Sequence, residues 1–272
     1  MLQILGHDGN PRAVHSSLTP LLLFKGVNQQ IKKRVNRILH EGAKPTVEKK
    51  DLLTDLITLH RKKPEFSETY LRRMATTNFG AGHETMTSAL TSALAMIGTH
   101  RDVERKVIDE LQRAGDDEDA VTPYIIACIK ESQRLYPVIG MSLSRTVPAS
   151  GLHVHGQNVP PGSTVGCNPI ALHRNPGICG EEPDSFKPER WLGEPGATRS
   201  MERYNLSWGG GARTCPGRYL AEMIVERVVS TLLREFHLEI TMPPEEEFRF
   251  YYVAMMTGVK VRFLSRQVAE SP

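Results

Sequence analysis

Between Trp208 and Gly217 the chain reads Trp-Gly-Gly-Gly-Ala-Arg-Thr-Cys-Pro-Gly, and Cys215, the one cysteine in that stretch, is the residue best placed to do chemistry. The glycines Gly209, Gly210 and Gly211 carry no Cβ and reach positive φ freely, so a flat partner can come close to this backbone. From Arg218 onward Leu220, Ile224, Val225, Val228, Val229, Leu232 and Leu233 recur at helical spacing, which predicts a helix to Phe236. Cys215 is therefore expected at a helix N-terminus, with Pro216 in the first helical position, where its missing N–H costs nothing. The orphan N–H groups and the dipole of a first turn favour a thiolate. A thiolate there is a strong axial ligand for a metal. The same residues also read as a glycine-rich loop around a buried free cysteine.

Three further patterns carry chemical types at telling spacings. A long helix is predicted from Ser67, its N-cap, to about Gly98, and Ala81-Gly82-His83-Glu84-Thr85 lies near its middle. A glycine inside a helix costs about 1 kcal/mol relative to alanine, so Gly82 either has a use or is merely tolerated. In a helix opened by Thr122-Pro123 and stopped by Pro137, Glu131 and Arg134 place a carboxylate and a guanidinium one turn apart on one face. Glu110 and Arg113 repeat that spacing in the preceding helix, so spacing alone singles out neither pair. His153 and His155 point to one side of a predicted strand, as metal ligands can, but no cysteine or carboxylate follows nearby as a third ligand, and they read as surface histidines.

In this order along the chain, these segments resemble the cytochrome P450 haem-thiolate monooxygenases. Trp208 to Gly217 is similar to that family's haem loop, Phe-x-x-Gly-x-Arg-x-Cys-x-Gly, with Trp208 in the place of Phe. The resemblance implies haem b (iron protoporphyrin IX), with Cys215 as the axial iron ligand that pushes electron density onto the metal to favour O–O cleavage. It also implies Arg213 and Arg145 on the propionates. Trp208, Gly209 and Gly217 would border the cofactor. Ala81 to Thr85 looks like the oxygen-activating motif, whose last position, commonly Thr or Ser, is Met86 here. On that reading Gly82 leaves room for a flat macrocycle beside Ala81. The Thr85 hydroxyl competes for the Ala81 carbonyl, opens a polar groove and positions water and protons for oxygen, and Glu84 helps relay them. Phe186-Lys-Pro-Glu-Arg190-Trp191 looks like the family's Pro-Glu-Arg-Phe segment, which makes Arg190 a structural partner of Glu131 and Arg134; a solvated Glu and Arg in a loop is the alternative.

The implied activity inserts one atom of O2 into a C–H bond of an apolar small molecule, with electrons from NADPH through a reductase. Two alternatives stand beside it: a truncated, non-catalytic remnant that does not hold haem stably, and haem-dependent peroxide rearrangement or isomerisation in place of O2 chemistry, which needs no proton relay from Glu84 and Thr85.

The elements that must position these residues follow from composition and periodicity. Hydrophobic residues make up 39% and charged ones 24%, ordinary for a globular chain, and a net charge of +3 with interspersed signs gives no footprint for nucleic acid. Cys128, Cys167, Cys179 and Cys215 show no Cys-x-x-Cys spacing, which points to a reducing compartment. Residues 1–20 hold no apolar run near the roughly eighteen residues a membrane span needs, and Leu21 to Phe24 is too short. The whole chain, 1–272, is expected to be a partial cytochrome P450 domain from about the seventh helix onward, without the N-terminal half and the membrane anchor, as in a truncated product or an incomplete gene model. Full-length eukaryotic relatives would sit on the cytosolic face of the endoplasmic-reticulum membrane. The expected fold is mainly α with a small β-region. Further helices are predicted over Lys25 to His40, stopping at Gly42, over Asp51 to His60, and from a capping-box-like Thr99-His-Arg-Asp102 to about Arg113. Strands are predicted in Met141 to Val147, Leu152 to His155 and Thr164 to Ile170. A hairpin over Phe248 to Phe263 has an apolar tip suited either to a substrate pocket or to sheet packing.

Overall fold

The computed structural model describes residues 3–4, 19–40, 51–63, 65–115, 120–244, 248–250 and 252–266. Two units partition the chain: Ala13–Glu84, and Met1–Arg12 together with Thr85–Pro272. In the first unit α1 (Thr19–Leu39) begins upstream of its predicted start, and the predicted stop at Gly42 lies outside the described residues. Val35 and Ile38, one turn apart, are buried with Leu56 and Ile57 of α2 (Leu52–Lys62) and with Leu71 and Ala75 of α3 (Glu68–Thr99). Asp51 caps α2 by accepting from the Thr54 N–H at 2.9 Å and pairs with Arg34 at 2.5 Å. That guanidinium holds its carboxyl below the usual range. Ser67 caps α3 by accepting from the Tyr70 N–H at 3.2 Å.

The second unit takes the rest of α3, which is enclosed on nearly all sides from Ser88 to Gly98, as a central helix must be. Gly98 is required there: a Cβ would stand 2.6 Å from Ile240 Cγ1 in the neighbouring strand. The predicted capping box at Thr99 does not form. Thr99 is the last residue of α3 and its hydroxyl donates to the Ala95 carbonyl at 2.8 Å, so α4 (Arg101–Arg113) starts from His100 without a side-chain cap. In α5 (Pro123–Leu135) the Thr122 hydroxyl accepts from the Ile125 N–H at 3.4 Å and Pro123 takes the first position, as expected. Ile97, Val107, Ile125, Val229, Leu233 and Leu238 are among the fully enclosed side chains that join α3, α4, α5, α9 (Arg218–Glu235) and the terminal strands in one core.

The β-structure is small and divided. With β1 (Gln3–Ile4) counted first, β2 (Leu143–Thr146) pairs antiparallel with β5 (Thr164–Cys167), and β3 (Leu152–Val154) forms a hairpin with β4 (Gln157–Val159). The predicted strand to Ile170 stops at Cys167 because Asn168 and Pro169 open α6 (Pro169–His173), the Asn168 side chain accepting from the Ile170 N–H at 2.9 Å. His155 does not share a strand face with His153. It lies in the β3–β4 turn at φ 46°, while His153 is bonded to Asn158 at 2.7 Å. After α7 (Pro176–Cys179), α8 (Pro195–Tyr204) and α9, β6 (Phe236–Thr241) enters a sheet of order β1-β9-β6. The predicted single hairpin over 248–263 is instead two devices. β7 (Arg249–Phe250) and β8 (Ala254–Met255) pair with each other, and after Gly258, at φ 85°, β9 (Lys260–Ser265) turns away to pair with β6 from Phe236↔Ser265 to Thr241↔Lys260. No helix among the described residues is long and apolar enough to cross a membrane.

A candidate cofactor loop and the network beneath it

The loop that carries Cys215 is held by its own backbone. The Gly209 N–H donates to the Leu206 carbonyl at 2.9 Å and the Cys215 N–H to the Trp208 carbonyl at 2.8 Å, so the stretch between them bulges as a closed ring with one 3-10 turn over Gly211–Arg213. Gly209 cannot be replaced without strain: its φ is 75° and a Cβ would lie 3.1 Å from the Arg213 carbonyl oxygen. Cys215 is exposed, which removes the reading as a buried free cysteine. The predicted helix start is also corrected. Pro216 belongs to the turn, Gly217 is the cap and Arg218 the first helical residue, so the thiol precedes the helix instead of sitting in its first turn. Gly217 lies beside the sulfur, where an added Cβ would be 3.9 Å from Sγ and would cover one side of it.

Guanidinium groups and apolar side chains adjoin that loop. Arg145 on β2 reaches the loop from outside, donating from Nη2 to the Gly210 carbonyl at 3.4 Å and from Nη1 to the Ser144 carbonyl at 2.9 Å. The exposed Arg213 side chain makes no hydrogen bond or ion pair among the described residues. The first two turns of α9 expose Tyr219 (82%), Leu220 (60%), Met223 and Ile224, a concentration of apolar surface that a helix start in water does not ordinarily keep. On α3, Ala81 and Gly82 are exposed, and Glu84 and Thr85 are half-buried, the boundary between the two units falling between them. A Cβ at Gly82 would meet nothing within 4 Å, so packing gives no reason for a glycine there.

Glu131 lies at the centre of a closed network. It is wholly enclosed and accepts four hydrogen bonds: Arg134 Nε at 2.8 Å and Nη2 at 2.9 Å, the Trp191 indole N–H at 2.9 Å, and the Lys187 backbone N–H at 3.0 Å. Arg190 Nε completes the charge balance at 3.4 Å. The two arginines also bind carbonyls. Arg134 takes those of His173, Pro183 and Ser185, and Arg190 those of Cys179 and Glu182, so the irregular segment from Gly180 to Lys187 obtains hydrogen bonds that it cannot make to itself. Trp191 stands where the resembling segment has Phe, and its N–H is a donor that Phe lacks. The Lys187 amide and His173 were not legible beforehand, since backbone donors and carbonyls carry no sequence signature.

Among the described residues no group of three His, Cys, Asp or Glu side chains is placed to hold a metal ion.

A sequence model of cytochrome P450 matches residues 21–260. The chain is 52% identical to the cytochrome P450 monooxygenase sdnT of Sordaria araneosa over 90% of its own length and 50% of that protein's. It is 33% identical to a cytochrome P450 monooxygenase of Aspergillus terreus, over 69% of this chain and 40% of that protein. It is 29% identical to a pisatin demethylase of Fusarium vanettenii, over 83% and 45% respectively. The chain thus spans about half the length of the curated relatives it matches. With most of its residues covered by that one model, the chain belongs to the cytochrome P450 family.

Proposed function

We propose that the chain carries the thiolate half of a haem b monooxygenase site, in which Cys215 Sγ would be the protein's ligand to the iron. The observation that carries this reading is an exposed thiol on a backbone-closed loop, flanked by Arg145 and Arg213 and followed by the apolar start of α9. A flat, largely apolar group with two carboxylates and a metal needing one further ligand matches each of those features. The sulfur fills the ligand position, the two guanidinium groups suit the carboxylates, and Leu220 and Ile224 suit the ring. A bound haem would supply the oxidising power for inserting one atom of O2 into a C–H bond of an apolar small molecule, the other leaving as water with two electrons and two protons.

The residues of this chain have the remaining tasks. Trp208, Gly209 and Gly217 would border the ring, and Gly82 and Ala81 would keep a helix face free of side-chain bulk. The Thr85 hydroxyl holds a water and donates its proton, and the Glu84 carboxyl restores it. Glu131, Arg134 and Arg190 keep the segment under the loop in place. Electrons come from NADPH through a reductase. The test is a carbon monoxide difference spectrum of the reduced, purified chain. A thiolate-type Soret band is expected for the wild type and is lost in Cys215→Ser; a band that survives the substitution overturns the assignment. Thr85→Ala keeps the band and diverts reducing equivalents to peroxide, and equal product per NADPH would end the proton-delivery role.

A second reading, a remnant that does not hold haem stably, draws on the openness of the same site: Cys215, Arg213, Tyr219 and Leu220 are all exposed. Absence of any thiolate band from the wild-type chain, after reconstitution with haem, decides for it.

A further inference from the structure

Three successive amides lead from α8 into the Cys215 loop, and only one of them is satisfied from outside its own segment. The Asn205 N–H returns to the Glu202 carbonyl at 3.3 Å and the Ser207 N–H is taken by the Asn205 side chain at 2.9 Å. The Leu206 N–H, two residues past the end of α8, donates instead to Nε2 of His173 at 2.8 Å, across 33 residues of sequence. His173 closes α6 and is 4% exposed. Because Nε2 accepts, the ring proton is on Nδ1, and the ring lines a small cavity with Arg134, Cys179, Trp191 and Tyr204. A buried imidazole costs more than an apolar side chain of its size unless its nitrogens are used, and Nε2 is used on the amide at the foot of the loop.

The same residue is gripped from the other side, since its carbonyl accepts from Arg134 Nη1 at 3.0 Å while Arg134 Nε and Nη2 hold Glu131. Two backbone bonds continue the path: Leu206 O to the Gly209 N–H, and Trp208 O to the Cys215 N–H. We propose that His173 is a positioning residue, a clamp that ties the foot of the Cys215 loop to the Glu131–Arg134 network. The consequence for a bound cofactor rests on the reading of Cys215 as the axial ligand, whereas the clamp itself is measurable without one.

Asparagine and glutamine separate the two ring nitrogens, because the amide oxygen of glutamine reaches the place of Nε2 and that of asparagine does not. Hydrogen exchange on the full chain without added haem is followed at Leu206 and Gly209, with the Lys187 N–H, held by Glu131, as internal reference. In His173→Asn exchange at Leu206 and Gly209 is expected to quicken by about tenfold or more while Lys187 stays at its wild-type rate, and in His173→Gln most of the protection returns. Unchanged exchange at Leu206 in His173→Asn overturns the proposal. So does equal acceleration at Leu206 and Lys187, which would make His173 a general stabiliser of the fold. His173→Leu gives the same comparison should the asparagine variant not fold. A wild-type chain without a thiolate band would sink the haem reading and leave the exchange result standing.

Discussion

Glu131 and Glu104 are both enclosed carboxylates in the same unit, and both meet two arginines, yet they organise their surroundings to very different degrees. Glu104, on α4, pairs with Arg101 at 3.0 Å, His237 at 2.9 Å and Arg266 at 3.2 Å. Those partners remain open to water, with side chains 54%, 34% and 27% exposed, and they come from elements that regular helix and sheet packing already fixes. Around Glu131 the arginines are 4% and 11% exposed, and their spare N–H groups are spent on carbonyls of a segment with little regular structure. The difference teaches where a buried charge matters. It matters most where its partners carry the hydrogen bonds of chain that has no ladder of its own.

The largest effect should come from breaking the closed network. Glu131→Ala leaves two buried guanidinium groups without their carboxylate and the indole and amide donors without an acceptor. It is expected to cost about 3–5 kcal/mol in urea unfolding and to prevent haem incorporation. A soluble, haem-replete Glu131→Ala protein would show that the network does not organise the loop. Next comes acid. Burial, with the nearby Arg134 and Arg174 charges adding to it against hydrogen bonding that favours the protonated ring, pushes the His173 pKa from 6.5 down to about 4. The folded protein therefore binds fewer protons than the unfolded chain between those values. The stabilisation is full above about pH 6.5, declines as pH falls toward 4 and is gone below it, a loss of about 3 kcal/mol. Unfolding free energies of wild type and His173→Gln across that window should differ in slope, the variant being flatter. Parallel curves would remove His173 from the account.

Which of these features could be read beforehand follows from how local they are. Glu131 and Arg134 are three residues apart, and their approach is a property of one helix. Glu110 and Arg113 have the same spacing and come to nothing: Arg113 turns to the Asp109 carbonyl at 3.0 Å and Glu110 accepts the Tyr124 N–H at 3.1 Å. Spacing gives reach, and burial on α5 decides whether the reach is used. Glu104 escaped notice because His237 and Arg266 lie 133 and 162 residues away. The long helices were legible from periodicity and capping residues, while strand partners were not, so the last strand was assigned to a hairpin instead of to β6. The composition of the Cys215 loop was plain from its residues. Its helix start was misplaced because the preference of proline for a first helical position gave way to a backbone cap at Gly217.

The comparison is sharpened from the open side by smaller changes. Glu104→Gln keeps the shape of the side chain and one acceptor oxygen, and the partner left facing the amide NH2 can turn to water, so the expected cost is about 1–2 kcal/mol. A loss as large as that of Glu131→Ala would mean that exposure of the partners is irrelevant. The smallest effect is expected for Arg262, opposite Glu239 across β9 and β6 and paired with it at 3.1 Å. The distance is close to that between Glu104 and Arg266, but the two side chains are 49% and 45% exposed and water replaces whichever partner is removed. Arg262→Ala should change stability by less than about 0.5 kcal/mol, and added salt should reduce even that. A larger change would show that ion-pair geometry alone sets these energies, and the ranking of Glu131 above Glu104 would then need a cause other than enclosure.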